Sequence, residues 1–171
     1  RTSSLNRSRS GSIRAKPITG SRIRLHGDFR LDEVYIVDDD FVIEDFSGDL
    51  SRPLSERRLR GSPLRDVAEM LRSFDYVALV AAIDGTSEQQ AWAAWWSLVV
   101  GSAFIRSYLD EMEDSPLLPD SPEAIDDLLR AFALARALRE LHWELATRAE
   151  WVRVPLAGLR HMLGQDPSFV N

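Results

Sequence analysis

Three carboxylates lie at a spacing that could support phosphoryl transfer. Asp28 and Glu33 fall within the run HGDFRLDE, residues 26–33, and Asp45 follows 17 residues after Asp28. In phosphoryl transfer, one carboxylate accepts the proton of the attacking hydroxyl, and oxygen ligands hold the magnesium that bridges the nucleotide phosphates. Magnesium in such sites prefers one or two carboxylates together with phosphate oxygens. The pattern therefore indicates either a phosphotransferase loop or an acidic hairpin that binds no metal.

A β-hairpin is needed to bring these carboxylates together. Residues 21–46 carry strand signals in the runs RIRLH, VYIV and FVIEDF, with three aspartates, 38–40, between the last two runs. Aspartate tolerates turn geometry and hydrogen-bonds its own backbone, so this segment predicts a hairpin that turns at the aspartates. The aspartates do not match a calcium loop, which requires a glycine at position six and a glutamate at position twelve.

Helix-start signals recur along the rest of the chain. They are Ser62–Pro63, Thr86 with Gln89, Ser121–Pro122 and Pro155, each followed by apolar residues at helical spacing. The longest uncharged run, residues 89–105, falls short of the ~20 residues of a membrane span, so we expect a buried core helix and no membrane association. Trp92, Trp95 and Trp96 in this run fit either a core cluster or a surface that stacks on a sugar ring.

Composition limits the remaining possibilities. The 171 residues include 44% hydrophobic residues, which is typical of one globular domain. Residues 1–20 are rich in serine and arginine and are expected to form a disordered or linker arm, with residues 21–171 as the folded unit. The acidic remainder predicts no nucleic-acid partner. The lack of cysteine excludes disulfides and fits a reducing compartment, so we expect a cytoplasmic location.

Two segments carry a family resemblance. The hairpin segment HGDFRLDEVYIVDDDFVIEDF and the following RPLSERRLRGSPLRDVAEMLRSFDY closely resemble the maltokinase family, and the resemblance extends over about residues 22–163. These bacterial enzymes phosphorylate maltose to maltose 1-phosphate with ATP and magnesium, and are often fused to or partnered with trehalose synthase. They share the aminoglycoside-phosphotransferase, protein-kinase-like fold.

This resemblance implies a fold and a set of partners. The fold would be mainly α (α+β): the C-terminal lobe of a kinase-like protein, with a small catalytic β-hairpin followed by a helical bundle. The N-terminal lobe is expected to lie outside this chain. The resemblance also implies ATP as co-substrate, Mg²⁺, a disaccharide substrate that would be maltose, and a trehalose synthase domain or subunit as candidate partner.

Site roles also follow from the resemblance. Asp28 would be the catalytic base, Glu33 and Asp45 would hold magnesium, His26 and Asp66 would brace the loop, and Glu140, Trp143 and Glu144 would contact the substrate. Two of these assignments have a simpler alternative. Asp66 could be a first-turn acid that favours a helix N-terminus, and a solvated helix face would explain the charges near Trp143.

The loop also departs from the family pattern, which is close to HGDYHLGQ. Arg30, Asp32 and Glu33 stand where the family has histidine, glycine and glutamine. Together with the N-terminal lobe expected outside the chain, these changes leave a second hypothesis open. The chain would then be a degenerate, non-catalytic kinase-like module that binds a trehalose-synthase-like partner.

Overall fold

The computed structural model describes residues 18–164, so the expected arm lies outside the described residues up to residue 17. A short 3₁₀ turn and one hairpin precede a set of helices. The elements are the 3₁₀ turn Leu31–Glu33, β1 Val34–Val37, β2 Asp40–Ile43, α1 Leu54–Arg57, α2 Leu64–Ala82, α3 Ser87–Glu111, α4 Pro122–Thr147, the 3₁₀ turn Ala149–Trp151 and α5 Arg153–Met162. The predicted fold class, a small β-hairpin followed by a helical bundle, is confirmed.

The hairpin turns where the aspartates predict. Strands β1 and β2 are antiparallel, with Val34 opposite Ile43 and Val37 opposite Asp40. Asp38 and Asp39 form the two-residue loop with φ of +49° and +67°. Positive φ at both loop positions is the type I′ geometry, whose twist matches that of the flanking strands. Aspartate is among the few residues other than glycine that adopt this region readily.

The prediction of a strand at RIRLH is wrong. In residues 22–26 the only pairing within the described chain is a single bridge, in which Ile23 exchanges backbone hydrogen bonds of 2.9 and 3.0 Å with Gly61. A strand ladder cannot extend from this bridge, because the segment that follows Gly61 enters helix α2 at Leu64. The alternation instead reflects the burial of Leu25, whose Cδ1 would lie 2.7 Å from a Cβ placed on Gly61.

Helix α2 is the central element of the bundle. It packs against α3, α4 and α5. Its buried apolar residues recur at helical spacing, at Leu64, Val67, Met70 and Phe74 among others. The predicted helix starts are present at both long neighbours. Thr86 and Gln89 form a capping box at α3, and the Ser121 side chain accepts a hydrogen bond from the backbone N–H of Ala124 at α4.

Helix α3 is less buried than its apolar sequence predicts. Its buried residues are Ala93 and Ser97, whereas the side chains of Trp92 and Trp95 are 61% and 58% exposed. The row of small residues at 93, 97 and 101 faces α2 and permits close packing, and this leaves the large residues outside. Trp96 alone of the three tryptophans joins the core, where its ring meets Phe74 edge-to-face at 6.3 Å. No helix in residues 18–164 combines the length and apolarity needed to cross a membrane.

Candidate functional site

The loop at residues 26–28 is anchored to the N-terminal end of α2. The two carboxylate oxygens of Asp66 accept hydrogen bonds from the backbone N–H groups of His26 and Gly27, at 2.8 and 2.9 Å. Burial raises the pKa of Asp66, and these two hydrogen bonds oppose the rise. The Nε2 atom of His26 lies 2.7 Å from the carbonyl oxygen of Glu44, the residue after β2. The loop is thereby tied to both the helix and the hairpin.

A close backbone approach completes the loop. Gly27 has φ of +86°, and a Cβ placed on it would lie 3.3 Å from the Cα of Gly48. The backbone N–H of Asp49 donates to the carbonyl of Gly27 at 3.2 Å. Glycine is suited to both requirements, since it accepts positive φ and has no side chain to obstruct the second segment.

Asp28 follows this anchored pair and faces α4. Its Oδ1 accepts a hydrogen bond of 2.6 Å from Nη1 of Arg136, and Nε of Arg30 lies 3.3 Å from the same oxygen. The side chain of Asp28 is 22% exposed. Arg136 was not singled out from the sequence. The only signal for it is the arginine-to-glutamate spacing of four with Glu140, which is common on any exposed helix.

Glu33 and Asp45 lie near Asp28, just before β1 and just after β2 of the hairpin. Burial and the charge of Asp32 raise the pKa of Glu33, with smaller contributions from Asp45 and Asp28, while Arg30 acts in the opposite direction. Hydrogen bonding from Ser47 lowers the pKa of Asp45, which has φ of +50°. Across residues 18–164 no group of three or more potential ligand side chains closes around one point. Two carboxylates nevertheless fit Mg²⁺ that takes its other ligands from phosphates and water.

These carboxylates share one cleft of about 870 Å³ between the loop, α2 and α4. Its charged lining is predominantly acidic. The acids are Asp28, Asp32, Glu33, Asp45, Asp49, Glu69, Glu140 and Glu144, and the bases are Arg30, Arg136, Arg139 and Arg148. An excess of carboxylates in a concave site raises the local concentration of cations. Of the tryptophans in the described chain, only Trp143 lines the cleft, so Trp92 and Trp95 do not stack on a ligand there.

The three substrate-contact residues expected from the sequence all line this cleft. Trp143 is half exposed, whereas Glu144 is 2% exposed. Glu144 accepts hydrogen bonds from the hydroxyl of Tyr76 at 2.9 Å and from Arg148 at 2.6 and 3.0 Å. Glu140 accepts a hydrogen bond from Arg136 Nε at 3.2 Å. The two glutamates are therefore part of ion-pair contacts and do not form a solvated helix face.

A second ion-pair group, missed from the sequence, lies on the wall of the cleft. Glu69 is buried, and its Oε1 accepts hydrogen bonds from Arg139 at 2.6 Å and from Arg65 at 3.2 Å. Arg139 Nε also lies 3.5 Å from Asp49 Oδ2. Burial raises the pKa of Glu69, and the arginines oppose this. The spacing of four between Arg65 and Glu69 was visible, but it could not show that α4 meets this face of α2.

The fold recurs among kinases of known structure. A glucosamine kinase superposes with a TM-score of 0.71 and 26% identity over 84% of this chain and 34% of that one. A structure of glucosamine kinase in complex with glucosamine, ADP and inorganic phosphate gives a TM-score of 0.71 with 26% identity, over 83% of this chain and 33% of that one. The mainly α, kinase-like lobe expected from the sequence agrees with these neighbours.

Curated relatives have the same description. The chain is 28% identical over 142 residues to the glucosamine kinase of Streptacidiphilus jiangxiensis, which is 82% of this chain and 32% of the relative. It is 29% identical over 147 residues to the glucosamine kinase of Mycolicibacterium smegmatis, over 84% of this chain and 35% of the relative. The chain thus spans about a third of the length of these relatives. No family model matches it. Both relatives are named as kinases of a sugar, as expected, but the name is glucosamine kinase and the maltokinase resemblance is not shown by them.

Proposed function

We propose that this chain is the C-terminal lobe of an ATP-dependent sugar kinase, and that its substrate is an amino sugar such as glucosamine. The observation that carries the proposal is the convergence of Asp28, Glu33 and Asp45 on one cleft. The similarity to glucosamine kinases, one of which holds glucosamine, ADP and phosphate, supports it. Residues 21–171 would form this lobe, with residues 1–20 as a connecting arm.

In the proposed reaction Asp28 accepts the proton of a sugar hydroxyl. The hydroxyl oxygen then bonds to the γ-phosphorus of ATP while the bond to the ADP oxygen breaks. Glu33 and Asp45 would hold Mg²⁺, which when bound neutralises charge on the phosphates. Asp66 contributes at a distance, because its two hydrogen bonds fix the backbone at His26 and Gly27 and so set where Asp28 lies. His26 adds the second tether through Glu44.

The charge of the cleft favours a cationic sugar over a neutral one. Its lining holds twice as many acidic as basic residues, and the excess remains although Glu140 and Glu144 on the α4 wall are paired with arginines. A protonated amino group would gain electrostatically there, whereas maltose would not. Maltose is the competing substrate implied by the maltokinase resemblance. A trehalose-synthase partner rests on that resemblance alone.

The test uses the full-length protein from the parent reading frame. Phosphate transfer from ATP is measured with glucosamine and with maltose as acceptors. We expect a higher kcat/KM for glucosamine, and a loss of about 10²–10⁴-fold in kcat for Asp28→Asn, since that change removes the general base. Asp38→Asn is the matched control, because Asp38 lies in the exposed hairpin turn and asparagine also tolerates its positive φ.

Two outcomes would overturn parts of the proposal separately. Wild-type turnover in Asp28→Asn would remove Asp28 from the chemistry. A preference for maltose with Asp28→Asn inactive would keep the kinase but reject the amino sugar.

A further inference from the structure

Arg136 connects the proposed base to a chain of charges that runs into the core. We propose that Arg136 is the positioning residue of Asp28: it holds one carboxylate oxygen so that the other faces the sugar hydroxyl. This inference rests on the proposed function, because it presupposes that Asp28 is the base. The loop motif does not assign this role to any residue of α4.

The contacts of Asp28 are one-sided. Arg136 Nη1 and Arg30 Nε both approach Oδ1, at 2.6 and 3.3 Å. Within residues 18–164 the hydrogen bond found at this carboxylate is the one that Oδ1 accepts from Arg136. The side chain of Asp28 is 22% exposed and lines the cleft. With Oδ1 held by Arg136, the proposed arrangement leaves Oδ2 for the sugar hydroxyl. A base with one oxygen held and the other open needs no rearrangement when the substrate arrives.

Arg136 is itself held from a second direction. Its Nε donates to Oε1 of Glu140 at 3.2 Å, while its Nη1 donates to Asp28. The guanidinium is planar, so two contacts through different nitrogens fix the orientation of its plane. A lysine ammonium is a point charge on a flexible stem and cannot reproduce this two-sided arrangement.

The chain of charges continues to a residue that cannot easily move. Oε2 of Glu140 forms an ion pair with Nη2 of Arg72 at 2.8 Å. Arg72 is 1% exposed and is packed against α5, where a Cβ on Gly158 would lie 2.8 Å from its Nη2. The four linked side chains thus alternate in charge, in the order Asp28, Arg136, Glu140 and Arg72. The guanidinium of Arg72 lies in the core, where α2 packs against α5. The position of Asp28 is therefore fixed by contacts with the helical bundle as well as by its own loop.

A purely structural ion pair would show a similar geometry, so the test must separate the two roles. A structural pair affects stability and leaves kcat unchanged in the protein that remains folded. A positioning pair affects kcat with little change in the KM for ATP, because it acts in the transition state.

The experiment measures kcat and KM in the full-length enzyme for Arg136→Met, Arg136→Lys and Glu140→Gln. We expect kcat of Arg136→Met to fall by roughly tenfold to a hundredfold, as for a slightly misplaced base. Arg136→Lys should give an intermediate kcat, and Glu140→Gln a smaller loss in the same direction. Arg130→Met is the matched control, because Arg130 lies on the same helix and forms a pair with Asp126 in which the side chains are 78% and 56% exposed.

The outcomes distinguish this inference from the proposed function. If Asp28→Asn is inactive while Arg136→Met behaves like Arg130→Met, the positioning role is wrong and the proposed function stands. If Asp28→Asn keeps its activity, Asp28 is not the base, and the part of the proposed function on which this inference rests fails. If Arg136→Met loses its cooperative melting transition, Arg136→Lys and Glu140→Gln carry the test, and wild-type kcat in both would overturn the inference.

Discussion

At the scale of single residues, the site depends on carboxylates whose partners lie far away in the sequence. Asp66 is an acid in the first turn of α2, and its carboxylate also accepts hydrogen bonds from both loop N–H groups. Both features belong to the same side chain. The sequence could not show this, because His26 and Gly27 precede Asp66 by 40 and 39 residues.

Glu69 provides a prediction for the pH dependence of stability. Burial raises its pKa above the ordinary 4.5, so the folded state binds this proton more tightly than the unfolded state. The contribution of Glu69 to stability is therefore full below the ordinary pKa and is lost as the pH rises through the raised value. We expect the unfolding free energy of the wild type to fall relative to that of Glu69→Gln as the pH increases.

Urea unfolding of both proteins at about pH 5 and about pH 8 checks this expectation. The linkage relation predicts how the difference between their unfolding free energies changes between the two pH values. Glu123→Gln is the control. Glu123 is exposed, and a hydrogen bond from Ser121 lowers its pKa below the ordinary 4.5. Its carboxylate is therefore ionised in the folded state and largely ionised in the unfolded state across this pH range, so its difference from the wild type should stay nearly constant. If the unfolding free energy of the wild type minus that of Glu69→Gln stays constant or increases from about pH 5 to about pH 8, the assignment is contradicted.

At the scale of elements, helix starts were easier to predict than helix faces. Capping depends on residues within one turn, so Thr86 with Gln89 and Ser121 with Pro122 could be identified locally. Which face of α3 is buried depends on the shape of the α2 surface against which it packs. The small side chains at 93 and 97 permit the close approach, and for that reason the tryptophans of α3 did not predict its contact surface.

The capping box of α3 provides the second prediction. Thr86 Oγ1 accepts from the backbone of Gln89 at 3.3 Å, and the Gln89 side chain accepts from the backbone of Thr86 at 2.8 Å. Thr86→Ala should lower the free energy of unfolding by about 1 kcal/mol, because one N-terminal N–H group loses its acceptor. Denaturant unfolding measures this loss. Ser102→Ala, within the same helix, is the control and should not destabilise, since alanine is the better helix former.

At the scale of the whole molecule, α2 is the element on which the others depend. It contributes Asp66 and Glu69 to the site and Arg72 to the core, and three other helices pack on it. A mainly helical lobe after a hairpin was predictable from periodicity and turn residues. The ion pairs that join α2 to α4 were not, because arginine and glutamate at helical spacing are also the usual pattern of a solvated surface.

Two helical glycines provide the third prediction, because the space beside their Cα atoms differs. A Cβ on Gly158 in α5 would lie 2.8–3.0 Å from the guanidinium of Arg72, whereas one on Gly101 in α3 would meet Leu71 Cδ2 at an ordinary 3.5 Å. Gly158→Ala should destabilise the fold by about 1–3 kcal/mol through overpacking. Gly101→Ala should stabilise it by roughly 0.5–1 kcal/mol, because alanine is favoured in helix interiors.

Thermal or urea unfolding of the two variants side by side makes each the control of the other. Equal effects of the two alanines would show that Arg72 does not hold α5 at a fixed separation from α2. In that case the buried end of the charge chain would be free to shift.

The hairpin also bears on how this chain behaves at high concentration. Ile36 and Phe41 are 75% and 69% exposed on strands whose only pairing within residues 18–164 is with each other. The unpaired backbone N–H and C=O groups at the edges of such strands, beside exposed apolar side chains, can pair with a strand of another chain. Self-association of the purified chain should therefore begin at this hairpin. Ile36→Lys should delay the onset of turbidity and leave the helical bundle unchanged, because Ile36 is exposed.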